Sequence, residues 1–420
     1  MPRRGSTRMR VGALAVGLTL ALLAGCTHND EPPEGTGASD TSATSSTTVT
    51  VPPEPPQWVV TVGDSYISGE GSRWAGNTMR RAAPTDALGP TAYEDRPGAE
   101  SQPGCHRAQE SIATLQLPNV RGKNLACSGA TTRSSAGPAG LRFKPGLDFH
   151  RDADGNRGQA LALQGFARTH DVSHVVVSIG GNDFGFGPVV ARCALGFLGL
   201  FSPRQPCSAD PDVTARFSVK QARTVGEHAR AAFDRVTKAM TRAGYADADY
   251  QLVVLSYPSP LPSSNQVRYQ RDQPRYDVGG CPFFDADLDW ANDVALATIN
   301  TTVGKAATAV TGPDVVRLDL SRALEGHRLC ERGVDTFAAT GLASWQSNGA
   351  ASILEWVNRI YFTVAPWQLQ ESLHPNYWGM RAEQRCVELV ISQRLSSGRV
   401  GCRPTGGLTS AGTPAMRLAR

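Results

Sequence analysis

The sequence is poor in lysine and lacks the short motifs that mark several common classes of site. Its basic residues form no block and the formal net charge is only +4 over 420 residues, so nucleic-acid binding is not indicated. It contains no Cys-x-x-Cys pair, no His-rich cluster, no His-Glu-x-x-His helix and no phosphate-binding P-loop. We therefore predict no metal site and no cofactor. Only five of the basic residues are lysines: Lys123, Lys144, Lys220, Lys238 and Lys305.

The amino terminus carries an apolar run that is too short to span a membrane comfortably. Four arginines precede this run, which extends over residues 11–24 and has the length of a signal-peptide core. It ends in Leu23-Ala24-Gly25-Cys26, which resembles the lipobox of bacterial lipoproteins. We predict a signal peptide over residues 1–25, lipid attached to Cys26, and a membrane partner through this anchor. The alternative is cleavage without lipidation, which would give a soluble secreted protein.

Two flanking stretches have the composition of disordered chain. Residues 26–56 are rich in Ser, Thr, Gly, Pro and acidic residues and have no periodic apolar face, which predicts a disordered tether. We expect residues 403–420 to be disordered as well. The chain as a whole is 40% hydrophobic and 19% charged, which suits a globular protein with a substantial core. A single domain over residues 57–402 is predicted.

Cysteine usage favours export. Nine cysteines are present, and setting Cys26 aside leaves an even number, which favours disulfides in an exported chain. The eight could pair in 105 ways, and sequence alone does not choose among them. They are Cys105, Cys127, Cys193, Cys207, Cys281, Cys330, Cys386 and Cys402.

Apolar runs of strand length alternate with segments of helical periodicity. This alternation predicts an α/β protein, a three-layer α/β/α sandwich with a central, mostly parallel sheet. We expect strands near residues 59–62, 123–127, 174–179, 251–256 and 315–320, and helices over 105–117, 158–169, 219–243, 288–310 and 377–395.

The first predicted strand ends abruptly at a serine. A β-branched run stops at Gly63-Asp64-Ser65, which places the Ser65 hydroxyl at the carboxyl edge of a parallel sheet. Open α/β sheets bind their ligands at this edge. The alternative is an ordinary turn in which a polar residue caps the following helix.

Three later segments favour a functional role for Ser65 over an ordinary turn. They are Ser128-Gly129-Ala130, Gly180-Gly181-Asn182-Asp183 and His374-Pro375-Asn376. Together with the segment at Ser65 they resemble, in the same order, the four blocks of the SGNH (GDSL-type) hydrolase superfamily, and more closely its secreted bacterial esterase and lipase branch. The resemblance covers residues 57–402 and implies a flavodoxin-like sandwich. It also implies disulfides between neighbouring cysteines: Cys105–Cys127, Cys193–Cys207, Cys281–Cys330 and Cys386–Cys402.

The resemblance implies a serine nucleophile activated by a histidine base. Ser65 would attack the substrate and His374 would take its proton, since a free serine hydroxyl is a weak nucleophile. The superfamily places an aspartate three residues before the histidine, but this chain has Glu371 there. Either Glu371 orients the imidazole or, as in some secreted relatives, a main-chain carbonyl does so. His327 follows a different strand and is interpreted as structural.

The same resemblance implies three donors to the oxyanion that forms in ester hydrolysis. They are the backbone N–H groups of Ser65 and Gly129 and the side-chain amide of Asn182. The apolar segment 194–201, between Cys193 and Cys207, is interpreted as one wall of an acyl pocket. Packing against a neighbouring helix is the alternative.

We therefore predict a lipid-anchored, exported serine esterase or lipase on the outer face of a bacterial membrane, acting as a monomer on small-molecule or lipid esters. One alternative is an O-acetyl or O-acyl esterase of cell-envelope polysaccharide or glycolipid. Another, of a different class, is a non-catalytic envelope-binding lipoprotein. An α/β-hydrolase fold is disfavoured because the chain has no Gly-x-Ser-x-Gly elbow.

Overall fold

The computed structural model describes residues 54–135, 142–199, 203–269, 275–362 and 366–419. The predicted signal peptide, Cys26 and nearly all of the predicted tether lie outside these residues. Within the described ranges, no helix combines the length and the apolar character needed to cross a bilayer.

A seven-stranded sheet forms the centre of the molecule, with helices on both sides, as predicted. The strand order is β2-β1-β3-β4-β5-β6-β7; all neighbouring strands are parallel except β6 and β7, which are antiparallel. The strands are β1 Gln57–Gly63, β2 Val120–Asn124, β3 Val172–Ser178, β4 Gln251–Leu255, β5 Asp314–Asp319, β6 Gly398–Leu408 and β7 Pro414–Ala419.

The central strands are apolar along their length because helices cover both faces of the sheet. Val59, Val60 and Val62 of β1 are fully buried, and so are three consecutive valines of β3. Continuous apolar strands of this kind are typical of parallel sheets. The chain leaves β1 towards β2 on one side and leaves β3 towards β4 on the other. The carboxyl ends of the neighbouring strands β1 and β3 therefore form the switch point where open α/β sheets bind ligands.

The helices agree with the sequence pattern where that pattern is strongly amphipathic. The longest, residues 219–243, begins after Ser218, whose side chain accepts the Gln221 N–H at 3.3 Å, and ends before Gly244 at a φ of 107°. The α-helices are α1 Ser65–Ser68, α2 Gln159–Ala167, α3 Phe186–Leu198, α4 Pro211–Thr214, α5 Val219–Ala243, α6 Asp285–Trp290, α7 Ala297–Thr308, α8 Phe337–Thr340, α9 Ala350–Ile353, α10 Pro366–Glu371 and α11 Tyr377–Ser392. A π-helical turn, Ala291–Leu296, joins α6 to α7.

One predicted helix is absent from the structure, and one observed helix was not predicted. The predicted helix over 105–117 is a series of turns, because a disulfide holds Cys105 to Cys127 and the Ala108 N–H bonds to the Ser68 carbonyl at 2.9 Å. These tertiary contacts replace the intrahelical ones. Conversely, α3 was not predicted, although its buried residues Val189, Cys193 and Phe197 recur every four positions along one face of the helix.

The carboxyl-terminal tail is ordered as far as the structure describes it, which corrects the expectation of disorder over 403–420. Strand β6 continues past Cys402 and pairs with β7, matching Arg403 with Arg417 and Pro404 with Met416. Met416 is only 8% exposed. The polar composition of this segment hid the strand, because an antiparallel edge pair is held mainly by its backbone hydrogen bonds.

Four disulfides staple the described residues, with the pairing that the resemblance implied. Two of them close loops of 22 and 14 residues near the sheet's carboxyl edge, and the others span separations of 49 and 16 residues. Disulfides of this number form and persist outside the reducing cytosol, which supports an extracellular or periplasmic location. The pairs are Cys105–Cys127, Cys193–Cys207, Cys281–Cys330 and Cys386–Cys402.

Candidate active site

Ser65 lies in a tight turn at the carboxyl end of β1. Gly63 has a φ of 141°, and a Cβ atom there would lie 1.9 Å from the Ser178 carbonyl oxygen of β3, so only glycine fits. The Gln159 side chain forms two hydrogen bonds with the backbone of Gly63: it donates to the carbonyl at 2.8 Å and accepts the N–H at 2.7 Å. Ser65 then begins α1, with Asp64 as the cap that accepts the Tyr66 N–H at 3.2 Å. The close approach of Gly63 to β3 and its two hydrogen bonds with the Gln159 side chain therefore fix the position of the serine turn.

The His374 imidazole reaches Ser65 across 309 residues of sequence. Its Nε2 lies 2.7 Å from Ser65 Oγ, and its Nδ1 lies 3.1 Å from the Ser372 carbonyl oxygen. A carbonyl can only accept a hydrogen bond, so Nδ1 carries the proton and Nε2 presents its lone pair to the Ser65 hydroxyl. This is the tautomer that a general base requires.

The segment carrying His374 is held by both neighbouring and distant residues. Leu373 has a φ of 64°, and its carbonyl accepts the Tyr66 hydroxyl at 2.9 Å. The Tyr66 ring lies 4.8 Å from the imidazole. The Asn358 N–H donates to the His374 carbonyl at 2.9 Å, while its side chain donates to the Gly71 carbonyl at 2.9 Å. The imidazole is thus held rigidly relative to the serine turn.

Glu371 does not orient His374, and that interpretation is corrected. Its carboxylate instead accepts hydrogen bonds from Trp74 Nε1 at 3.1 Å, Arg81 Nη2 at 2.7 Å and the Tyr93 hydroxyl at 2.6 Å. The main-chain alternative describes the structure, because the Ser372 carbonyl takes the place of the carboxylate. A backbone carbonyl has no signature in the sequence, so Ser372 was not a candidate.

We expect Glu371→Gln to affect stability much more than chemistry. The Arg81 and Glu371 side chains are only 7% and 2% exposed, so an uncharged partner would leave a buried guanidinium unpaired. The expected loss in the free energy of unfolding is about 3 kcal/mol. In an ester-hydrolysis assay the folded variant should keep most of the wild-type rate, whereas loss of the carboxylate of a catalytic triad costs about 10⁴-fold in kcat. Urea unfolding measures the loss of stability, and steady-state kinetics on the same sample measure the change in kcat. A loss of about 10⁴-fold in kcat in the folded variant would restore Glu371 to the triad.

Asn182 and Gly129 lie beside the serine turn. Asn182 begins a 3₁₀ turn just after β3, and its amide donates to the Ala130 carbonyl at 2.9 Å. One amide hydrogen is thereby used and a second is left for a ligand. Gly129 is exposed at a φ of 75°, and among the described residues its backbone N–H has no acceptor. The Cys127 N–H bonds to the Gly63 carbonyl at 3.0 Å, which fixes this segment against the serine turn.

The Ser65 N–H group is also free of a helical partner, because it belongs to the first turn of α1. Ser65 and Asn182 line one small cavity, with Tyr257 and Phe186 in its wall. The structure thus brings two of the three predicted oxyanion donors to a common cavity and places Gly129 on an adjoining loop.

A buried aspartate and tyrosine connect the serine turn to the Asn182 turn. The Tyr257 hydroxyl donates to the Asp64 carboxylate and accepts the Gly181 N–H at 2.9 Å. Burial raises the pKa of Asp64 to about 7, while its hydrogen bonds with Tyr257 and Tyr66 act in the opposite direction. Asp64 therefore orients the loop, and its partner Tyr257 was not predicted from the sequence.

A buried ion pair beside the site was also missed. Glu70 is completely buried, and its carboxylate lies 2.8 Å from His106 Nδ1. The Tyr93 ring stacks on the His106 ring at 4.6 Å. Glu70 is joined to the site through the next residue, since a Cβ on Gly71 would lie 3.2 Å from His374 Cβ. Glu70 follows the serine turn closely in sequence, but no motif surrounds His106, and the pairing joins positions 36 residues apart.

The surroundings of His374 set the pH range in which it can act as a base. Burial lowers its pKa below the ordinary 6.5, while the negative charge of Glu70 opposes this shift. The imidazole should therefore be neutral at pH 7, and the acid limb of kcat/KM should lie below pH 6.5.

Glu70→Gln is expected to move this acid limb to still lower pH. Without the nearby carboxylate, the imidazolium form of His374 loses a stabilising charge, so a higher proton concentration is needed to form it. Glu70 also raises the pKa of His106, so the variant should carry less positive charge at that residue. This change opposes the shift but is the smaller effect, because the His106 charge lowers the pKa of His374 less than Glu70 raises it. A pH profile of kcat/KM between pH 4 and 8, with unfolding monitored at each pH, tests the shift. If the acid limb of the folded variant stayed at the same pH or moved to higher pH, the electrostatic coupling between Glu70 and His374 would be contradicted.

His327 is structural, as predicted. Its ring stacks on Trp356 at 3.8 Å and its Nδ1 lies 2.9 Å from the Leu354 carbonyl oxygen. Within the ranges that the structure describes, no group of three or more His, Cys, Asp or Glu side chains could hold a metal ion.

No protein-family model matches the chain, and no curated protein matches it either. Among solved structures, the chain is similar to a family two carbohydrate esterase from Clostridium thermocellum, solved as an active-site mutant in complex with celluohexase. The TM-score is 0.34 at 11% sequence identity, and the alignment covers 81% of this chain and 66% of the esterase, just under two thirds of its length.

Proposed function

We propose that this protein is a serine carboxylic ester hydrolase that acts through an acyl-Ser65 intermediate. The observation that carries the proposal is the contact of 2.7 Å between Ser65 Oγ and His374 Nε2, in a tautomer set by the Ser372 carbonyl. The free N–H groups of Ser65 and Gly129 and the spare amide hydrogen of Asn182 add donors for an oxyanion. A binding protein would have no need for this combination.

In the first step, Ser65 Oγ attacks the ester carbonyl carbon while His374 Nε2 takes the hydroxyl proton. The carbonyl oxygen becomes an oxyanion held by the three donors, each worth on the order of 3 kcal/mol in the transition state. Collapse of the tetrahedral intermediate breaks the bond to the alcohol oxygen, and the imidazolium gives that oxygen its proton. The alcohol leaves and the acyl group remains on Ser65.

Water completes the cycle by the same route. His374 Nε2 takes a proton from a water molecule as its oxygen attacks the acyl-serine, and the same donors hold the second oxyanion. Release of the carboxylic acid returns the proton to Ser65 Oγ. Burial favours the neutral imidazole at the start of both steps, because it lowers the pKa of His374.

A fluorophosphonate probe tests the proposal on the intact protein. One equivalent of probe should bind per protein molecule, and peptide mass spectrometry should find the adduct on Ser65. Labelling should stop when the protein is first unfolded in denaturant, since a serine without its base is unreactive. Ester hydrolysis with the adduct on another residue, or hydrolysis that the probe does not inhibit, would overturn the assignment.

We further propose that the mature protein is exported and anchored through lipid on Cys26. The four disulfides and the sequence Leu23-Ala24-Gly25-Cys26 support this. Expression in bacteria fed a labelled fatty acid should give a labelled protein, and Cys26→Ser should remove the label. Label that persists in the substituted protein would rule out Cys26 as its attachment point.

A further inference from the structure

A groove lies between α7 and the strands β4, β5 and β6. Its volume is about 470 Å³, within the usual range for small-molecule sites. It shares Leu296 with the cavity that contains Ser65, but none of the residues proposed for catalysis line it. The groove is therefore a feature separate from the candidate active site.

Strand β5 presents a charged side chain to this groove. Val316 and Leu318 are each 1% exposed, whereas Arg317 between them is half-buried and lines the groove. Successive side chains of a strand point to opposite faces of the sheet, so Arg317 and Asp319 share the groove face. A ligand in the groove can therefore reach the Arg317 side chain.

A second arginine stands beside Arg317 on the neighbouring strand. Arg317 of β5 and Arg399 of β6 are partners in the parallel ladder, and both side chains line the groove. Neighbouring strands lie about 4.8 Å apart. Two like charges at paired positions of this kind repel each other and destabilise the strand pair unless they are compensated.

The protein compensates one of these two charges. Arg399 Nη2 lies 2.5 Å from Asp319 Oδ2, while the other carboxylate oxygen accepts the Ser256 hydroxyl and the Ser321 N–H, both at 3.0 Å. With its oxygens engaged in this way, the Asp319 carboxylate forms no ion pair with Arg317. The Arg317 side chain forms no hydrogen bond or ion pair with any residue that the structure describes.

Helix α7 adds a third positive charge. Lys305 lies in its last turn, is exposed, and likewise has no ion pair among the described residues. The described residues that line the groove thus carry three positive charges and one negative charge, a net charge of +2. The hydroxyl groups of Thr301 and Ser321 add uncharged donors to the same wall. Such a groove suits an anion with several acceptor oxygens.

We propose that this groove is a binding site for a phosphate group, a function beyond the proposed ester hydrolysis. A phosphate monoester carries a charge of about −1.5 to −2 at pH 7 and three acceptor oxygens, which matches the charge of the groove. The planar guanidinium of Arg317 can bind two of these oxygens at once. A bound phosphate also supplies the negative charge that offsets the repulsion between Arg317 and Arg399.

Titration calorimetry of the full chain with inorganic phosphate, at an ionic strength held constant with sodium chloride, tests the site. We expect saturable binding that Arg317→Gln weakens by at least about tenfold, because hydrogen bonds between charged partners are lost. Arg168→Gln is the control, since Arg168 is exposed at the end of α2, outside the groove, and should be dispensable. Absence of binding, or equal binding by the folded Arg317→Gln variant, would overturn the proposal.

Thermal unfolding of the same variants tests the uncompensated charge. Without phosphate, Arg317→Gln should be at least as stable as the wild type, because its repulsion with Arg399 is gone. Phosphate should raise the Tm of the wild type and leave that of the variant nearly unchanged. A variant that is less stable than the wild type without phosphate would contradict the argument. Lys305→Gln should also weaken phosphate binding and serves if Arg317→Gln does not fold.

Sedimentation with lipid vesicles distinguishes the two sources of the phosphate group. If the ligand is a lipid headgroup, more wild-type protein should sediment with phosphatidylglycerol than with phosphatidylcholine vesicles, and Arg317→Gln should remove the excess. Equal sedimentation with both lipids, together with binding of inorganic phosphate, would support a free phosphate compound as the ligand. If neither phosphate nor phosphatidylglycerol binds in a way that depends on Arg317, the groove is not a phosphate site.

Discussion

The Ser65→Ala variant is expected to lose ester hydrolysis by about 10⁴-fold or more in kcat/KM, the loss typical of serine hydrolases without their nucleophile. Removing Oγ leaves His374 without the hydroxyl that lies 2.7 Å from its Nε2, and no acyl-enzyme can form. The oxyanion donors remain, so a small residual rate above the uncatalysed one is expected. Initial rates on p-nitrophenyl hexanoate, with matched thermal unfolding curves, provide the measurement.

Ser68→Ala is the matched control because it removes a hydroxyl from the same helix. The Ser68 hydroxyl donates only to the Ser65 carbonyl, at 3.2 Å, and is fully buried. This variant should keep most of its turnover and lose at most a modest amount of stability. If Ser65→Ala hydrolysed esters at an undiminished rate, the proposed mechanism would be wrong.

The second large effect is expected for His374→Ala. Among the described residues, His374 is the only side chain that is hydrogen-bonded to Ser65 Oγ. Without its imidazole the loss in kcat/KM should therefore be of the same order, about 10⁴-fold or more. The two residues act as one unit, and we therefore expect Ser65→Ala/His374→Ala to be no slower than either single variant. Additive losses in the double variant would mean that the two residues act independently.

His150→Ala provides the control for a general effect of losing a histidine. The His150 side chain is 37% exposed and lies outside the residues that line the Ser65 cavity. Its replacement should leave the rate and pH profile of ester hydrolysis unchanged. Turnover that survives in His374→Ala, with the fluorophosphonate adduct still on Ser65, would require a different base.

Local sequence predicted the parts of the structure that depend on local periodicity and turn chemistry. The valine-rich run before Gly63 formed the buried strand β1, and the amphipathic segment over 219–243 formed α5 with the predicted bounds. The same reasoning failed where tertiary contacts were stronger than the local pattern, as in the segment that starts at Cys105. It also failed for β6 and β7, where backbone pairing forms strands from polar residues.

The candidate site shows the same division between what local sequence predicts and what tertiary contacts decide. The sequence by itself determined which side chains could do chemistry, because Ser65, Asn182 and His374 each stand in a short motif at the end of a strand or in the terminal block. Only the tertiary structure decided which group orients the imidazole, since a carbonyl such as that of Ser372 is common to every residue. The pairing of Glu70 with His106 likewise came only from the tertiary structure, because contacts between distant segments depend on how the whole chain packs.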